Sequence, residues 1–250
     1  MMRHHSVIKI NHFYLLSSSI LIVYYLIGFA GLIHEPYHIR SLQLMNSGSE
    51  RSYSETAVIE SLEACFWLAA LVLYLLSLKK RIFQGRPFLW ILFFCAFSLV
   101  ALGEETSWGQ NIFGYSPPSS YAEFNNQGEI NVHNLDLAKV FALSKGSFFY
   151  ALLDNPVRLL NLIFYLLCVT VWLILPVTLK RTDLLKNFRL FRNFPSQNPA
   201  FYWIFSAFTV VYLLVDWFLF DAGELYELTL AMAGFLTAVN QYQFASNSNS

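Results

Sequence analysis

The chain has 250 residues and no net formal charge; 56% of it is hydrophobic and 13% charged, with 24 Phe, 14 Tyr and 6 Trp. Soluble domains carry about 25% charged residues, so this composition argues for an integral membrane protein rather than a large soluble core, and no basic patch interleaved with aromatics points to nucleic acid. Cys65, Cys95 and Cys168 fall inside apolar runs and read as small buried hydrophobes, while Walker A, GxSxG, HExxH and paired CxxC motifs are absent.

A spanning helix needs about 20 mainly apolar residues. Six runs meet that need and predict an all-α integral membrane protein, one polytopic domain over 1–242. The first, about 13–33, reads as an uncleaved anchor, because it outruns a signal-peptide core and no A-x-A site follows. The second, about 56–78, carries Glu60 and Glu63 one turn apart, with Trp67 on the same stripe. The third, about 87–103, runs into GEETSWGQNIFG at 103–114.

The next 104–155 are too long for a bare connector and predict a partly helical loop. Pro117 and Pro118 break the chain, Ser120 and Glu123 have capping-box spacing for a helix through Phe124, and Asp136 can cap another through Leu143. Between them lies NNQGEINVHNL at 125–135, where Gly128 permits a tight turn. A helix over 129–133 would project Glu129 and His133 together. Asn155-Pro156 opens the fourth span, about 157–179, and Asn198-Pro199 the fifth, about 200–220. The sixth, about 224–242, begins with Glu224 and Glu227, and the polar tail 243–250 is expected to be disordered.

Lys and Arg fix an orientation. Eleven of the 16 lie before span one, between spans two and three, or between spans four and five. The positive-inside rule then makes both termini cytoplasmic in a cytoplasmic (inner) membrane. Of the 16 Asp and Glu, only Asp183 belongs to that basic side. The acids therefore collect at the extracytoplasmic face.

Glu55 and Glu224 sit in first turns, where an acid complements the helix dipole without any function. Glu60, Glu63, Glu104, Glu105 and Glu227 lie inside apolar segments instead, where an ionised group costs about 2.5–3.5 kcal/mol at mid-span and less near the ends. Such groups usually face a polar cavity. If span three continues one more turn, Glu104, Ser107, Trp108 and Asn111 share a face. The expected arrangement has Glu60, Glu104, Glu129, His133 and Glu227 holding a divalent metal (Mn, Fe, Zn or Mg). Glu105 or Glu63 would serve as general base and Ser107 would stand beside the chemistry, within a polar shell of Trp108, Gln110, Asn111, Asn126, Gln127, Asn131, Asn134 and Glu224.

The blocks GEETSWGQNIFG and NNQGEINVHNL, with an upstream acidic pair like Glu60 and Glu63, resemble the signature of a family of uncharacterised bacterial multi-pass membrane proteins. Its members carry GEE-[IT]-SWGQ after one span and then N-x-Q-x-E-x-N-x-H-N. The match as a whole covers about a quarter of the chain, the two blocks themselves being 12 and 11 residues long. The resemblance implies a membrane location and a shared polar site, and it brings no reaction with it.

Three functions compete. A membrane-embedded, metal-dependent enzyme would act on a lipid headgroup or a lipid-linked substrate. A cation- or proton-coupled transporter would use the acids to concentrate cations at one mouth, although the inner halves of spans two and three hold little polar beyond Ser77 and Ser98 for a through-path. A non-catalytic component would bind a lipid or a partner through the 104–155 loop. The first is preferred, because a site polar at one end and dry at the other suits catalysis better than transport.

Overall fold

The structure, a computed structural model, describes residues 14–23, 26, 58–83, 88–125, 130–132, 135–144, 147, 150, 156–182, 187–188, 191, 194–195, 197–218 and 223–247. These are mostly helical, and no strand forms among them; an isolated bridge joins Asn125 to Leu135. The long elements are α1 (Tyr14–Val23), α2 (Val58–Phe83), α3 (Leu89–Glu105), α4 (Pro156–Val169), α5 (Pro199–Phe218) and α6 (Gly223–Asn247). A π-helical turn at Thr170–Ile174 carries α4 on into the helix Leu175–Arg181.

Among the described residues two stretches are long and apolar enough to cross a membrane, Ser61–Ile82 and Leu162–Arg181; Tyr14–Val23 and Pro199–Leu214 are apolar but shorter. The segment expected as a sixth span is of a different kind. Thr229, Thr237, Asn240 and Gln241 interrupt the apolar character of α6, and from Tyr226 to Val239 it is almost wholly buried by its neighbours. Nor is the end of this helix disordered from 243 as expected. It runs to Asn247, with Ala245 buried and the Ser246 hydroxyl accepting from Lys80 Nζ at 2.7 Å while donating to the Tyr242 carbonyl.

Packing between helices follows from one seam. Glu63, Trp67, Ala70, Tyr74 and Ser77 alternate at steps of four and three along α2 and are all buried, the spacing that keeps a single stripe facing a partner helix. That partner is α6, whose Ala231, Ala233, Gly234 and Ala238 let the backbones approach. A Cβ on Gly234 would collide with the Trp67 ring, and the Tyr74 hydroxyl donates to the Gly234 carbonyl at 3.2 Å. The same stripe also meets α3, where Tyr74 stacks on Phe94 with ring centroids 5.3 Å apart.

The middle of the bundle is aromatic. Trp67 stacks on Trp172 at 6.3 Å and meets the edge of Phe97 at 5.6 Å, and Trp172 meets Phe205 at 5.9 Å. Trp172 stands within the π turn, a widening of the helix found often where a side chain must be re-aimed. The surfaces turned away from this core are apolar: Leu68, Val72 and Leu75 on α2, Leu92 and Leu99 on α3, and Leu162, Ile163 and Leu166 on α4 are all exposed. Polar side chains instead point inward, including Glu63, Ser77, Ser98, Thr229 and Thr237. Of the three cysteines, all free, Cys95 and Cys168 are buried as expected whereas Cys65 is exposed.

Several local expectations are modified. Pro156 and Pro199 begin their helices, and Asn198 Oδ1 caps α5 by accepting from the Ala200 amide at 3.0 Å. Asp136 accepts from the Lys139 amide at 3.0 Å and caps Leu137–Val140, which stops short of Leu143 because Ala142 takes a positive φ of 48°. The helix Ser119–Ala122 follows Pro118 and makes no side-chain cap, so the Ser120–Glu123 capping box does not form. Residues Ile130–Val132 have irregular backbone rather than the helix considered for 129–133.

Candidate functional site

The helix α3 does not continue past Glu105. Thr106 closes α3, its hydroxyl donating to the Leu102 carbonyl at 2.8 Å, and Ser107, Trp108 and Gly109 then adopt φ of 45°, 53° and 89°. Three successive left-handed residues reverse the chain, a conformation that costs non-glycine residues about 1–2 kcal/mol each. Two contacts offset that cost. The Trp108 ring lies against Gly103, where a Cβ would come within 2.8 Å of it, and Trp108 Nε1 donates to Glu104 Oε1 at 2.8 Å. The shared face proposed for Glu104, Ser107, Trp108 and Asn111 is therefore replaced by a hook.

The hook separates two adjacent acids. Glu104 faces the loop: its second oxygen accepts from the Val132 amide at 2.7 Å. Nearby, Gln110 Oε1 accepts from the Ile130 amide at 2.9 Å, so the two motif-bearing segments are fastened to each other at two points. Asn131 is buried between these points. Its carbonyl accepts from the Tyr121 hydroxyl at 2.7 Å, and its carbonyl and side-chain oxygens each lie 3.2 Å from Asn125 Nδ2. The Tyr121 hydroxyl is pushed above the usual tyrosine range, by burial first and the Glu104 charge second, with Asn125 acting in the opposite sense. The Tyr115 hydroxyl completes the hook by donating to the Trp108 carbonyl at 2.6 Å.

Glu105 turns the other way, into the bundle. Oxygens of Glu63 on α2, Glu105 on α3 and Glu227 on α6 all lie within 4.8 Å of one another. Glu63 is wholly buried and the other two are half-buried. On the fourth side the Tyr165 hydroxyl of α4 donates to Glu227 Oε1 at 2.7 Å. Tyr165 meets the edge of Tyr226 at 5.0 Å, and Tyr226 stacks on Tyr212 at 4.2 Å, so aromatic rings hold this donor in place. Trp67 lies one turn below Glu63 and forms the floor.

Three carboxyl groups this close cannot all carry charge without protons or a cation among them, because like charges at that range disfavour ionisation. The donors are oxygens only, the set that suits hard cations such as Mg or Mn. Glu105 and Glu227 also border a cavity of about 470 Å³, whose wall includes Glu104, Trp108 and Val132 together with apolar side chains of α3 and α4.

The remaining residues of the expected site are distributed as follows. Ser107 is buried inside the hook and does not border the cavity, while Trp108 is 44% exposed at its rim. Glu60 and Glu224 sit on α2 and α6 and Asn111 on the helix Gln110–Phe113, but their side chains lie outside the described positions. Asn126, Gln127, Glu129, His133 and Asn134 lie outside the described residues. The structure thus brings together Glu63, Glu105 and Glu227, with Glu104 next to them on a separate task. Tyr165 was not expected; a phenol within an apolar helix was the available signal. Comparison of the chain with protein-family models, curated proteins and solved structures finds no match.

Proposed function

We propose that this chain is a six-span helical protein of the cytoplasmic membrane, with both termini cytoplasmic and the carboxylate end extracytoplasmic, and that it is a metal-dependent, hydrolase-like enzyme acting on a lipid or lipid-linked substrate. The membrane reading is supported by the outward apolar faces and the inward polar ones, the reverse of a soluble bundle. It is also supported by two stretches of spanning length and by the segregation of basic from acidic residues along the sequence. The resemblance of the two motif blocks to a multi-pass family points the same way.

One observation carries the catalytic reading: three carboxylates from three different helices converge, and two of them, Glu105 and Glu227, border a cavity. Convergence from separate helices is how bundles build carboxylate metal centres. Glu63, Glu105 and Glu227 would hold the metal, and a divalent ion bound there would lower the pKa of a coordinated water. The chain itself supplies the rest. Tyr165 fixes the orientation of Glu227, and the carboxylate oxygens facing the cavity can accept a proton. The aromatic floor of Trp67, Trp172, Phe97 and Phe205 fills the bundle below the acids, which weighs against a through-path for a transported ion.

The test is elemental analysis of protein purified in mild detergent without chelators. About one equivalent of a divalent metal is expected for the wild type. Glu227→Gln should bind it about 100-fold more weakly, the upper end of what even outer-shell changes cost at metal sites. Wild-type protein that stays metal-free after incubation with Mg, Mn, Fe and Zn would remove this reading.

A further inference from the structure

The cavity beside the carboxylates has a shape that the acids alone do not require. Most of its wall is hydrocarbon: Phe93, Ala96, Phe97 and Val100 from α3, and Leu160, Phe164 and Leu167 from α4. Phe97 and Phe164 stack in parallel at 5.6 Å, 7° from coplanar, and this ring pair bridges the two helices. Ala96 presents only a methyl group on the α3 side. Polar atoms enter at one end only, through Glu104, Glu105 and Glu227. Val100 and Leu167 are 51% and 41% exposed and lie on the apolar outer faces of the bundle. The cleft therefore opens sideways between α3 and α4, not solely toward the loop.

The geometry points to this cleft as the seat of a hydrocarbon chain belonging to a single-chain membrane amphiphile, whose polar head stands at Glu105 and Glu227. This inference rests on the membrane-enzyme reading and narrows its substrate. A volume of about 470 Å³ falls within the range of roughly 300–1,000 Å³ seen for sites that enclose small ligands. A water-soluble polar substrate would leave the eight apolar residues that α3 and α4 turn to the cavity without a purpose. An amphiphile matches both parts, since its chain covers Phe93 to Leu167 and its head reaches the acids. Sideways entry spares the chain from crossing water. The head inferred with it is an anionic phosphoester, which the bare acids would repel unless a divalent cation were bound at the proposed centre.

The experiment uses full-length protein in detergent micelles and a single-chain alkyl phosphate carrying a mid-chain diazirine, in the presence of Mg or Mn. Photolabelling should concentrate on α3 and α4 peptides containing Phe93–Val100 and Leu160–Leu167, and unlabelled alkyl phosphate should compete for it. Ala96→Trp should fill the cleft and cut labelling at least tenfold while leaving bound metal at the wild-type level. Leu167→Trp, at the mouth, gives the same result if Ala96→Trp fails to fold. Labelling spread evenly over all the apolar helices and indifferent to both substitutions would overturn the proposal. Protein that lacks metal yet labels this cleft, with an alkylamine probe competing better than the phosphate, would retain the chain site and overturn the phosphoester head. Metal-replete protein with no cleft labelling would overturn the chain site and leave the metal centre standing.

Discussion

The two ends of the bundle treat charge in opposite ways. At the basic end three cations each have an anchor of their own. Lys80 donates to Ser246 and lies 4.1 Å over the Tyr242 ring, Arg81 donates to Gln241 Oε1 at 3.3 Å and lies over Phe244, and Lys180 sits 4.4 Å over Tyr202. Amides close the gaps, with Asn240 Nδ2 donating to Gln197 Oε1 at 3.0 Å. At the carboxylate end, acids from α2, α3 and α6 converge on one another, and those of α3 and α6 border a cavity. Charges dispersed onto separate partners lock helix ends together. Like charges gathered at one point destabilise the fold unless something joins them, and this is the end for which we propose binding.

The strongest way to break this comparison is Glu63→Gln. An amide keeps the shape of the buried side chain and removes one of the three acids. Metal-free Glu63→Gln should melt above metal-free wild type, because the crowding of carboxylates is relieved. Metal at 100 times its Kd should stabilise wild type by about 2.7 kcal/mol and the variant hardly at all. Thermal denaturation with and without Mg or Mn reads both effects. A variant that melts below metal-free wild type would show the acids to be a mutually supporting hydrogen-bond network instead.

Next in size is the contrast between neighbours Glu104 and Glu105. Glu104 accepts two hydrogen bonds, from Trp108 Nε1 and the Val132 amide. A glutamine offers one oxygen and turns an NH2 group toward the other donor, costing about 1–3 kcal/mol of loop anchoring. Glu104→Gln should therefore speed hydrogen exchange at Val132 and protease cleavage of the loop, while metal content stays at the wild-type level. Glu105→Gln should do the reverse. If both substitutions release metal equally, the division of labour between these two residues is wrong.

Much of the site was visible in the sequence, for a definable reason. An acid a turn or more inside an apolar helix is costly, and that cost points to Glu60, Glu63, Glu104, Glu105 and Glu227 without any knowledge of packing, of which Glu63, Glu105 and Glu227 lie together. The proline starts of α4 and α5 were equally legible, because the chemistry of a helix start is local. What could not be read depended on distant surfaces. The left-handed run at Ser107–Trp108 breaks local propensity and exists only because the Trp108 ring finds Gly103 and Glu104. Helical periodicity extended past Glu105 therefore placed Ser107 beside the acids, when it lies inside the hook. The serine- and asparagine-rich end of α6 looked disordered by composition, but Lys80 and Arg81 of α2 hold it helical. The cleft between α3 and α4 left no trace in either helix alone, since Ala96 and Phe164 lie 68 positions apart.

The smallest expected effect tests the other half of the comparison. Lys80→Met keeps an unbranched stem against α6 while removing the bond to Ser246 and the cation over Tyr242. Exposed cation–π contacts contribute about 0.5–1 kcal/mol and a hydrogen bond to a charged group about 1.5–3 kcal/mol, the latter nearer its lower limit at a half-exposed site. The substitution should thus lower the melting temperature by a few degrees and fray the last turn of α6, seen as faster exchange of the amides from Gln243 to Asn247. Metal binding at Glu63, Glu105 and Glu227 should not change, because the aromatic floor around Trp67 and Trp172 stands between the two ends. A loss of metal in Lys80→Met would mean that the ends communicate through that floor, and the bundle would then have to be treated as one conformational unit.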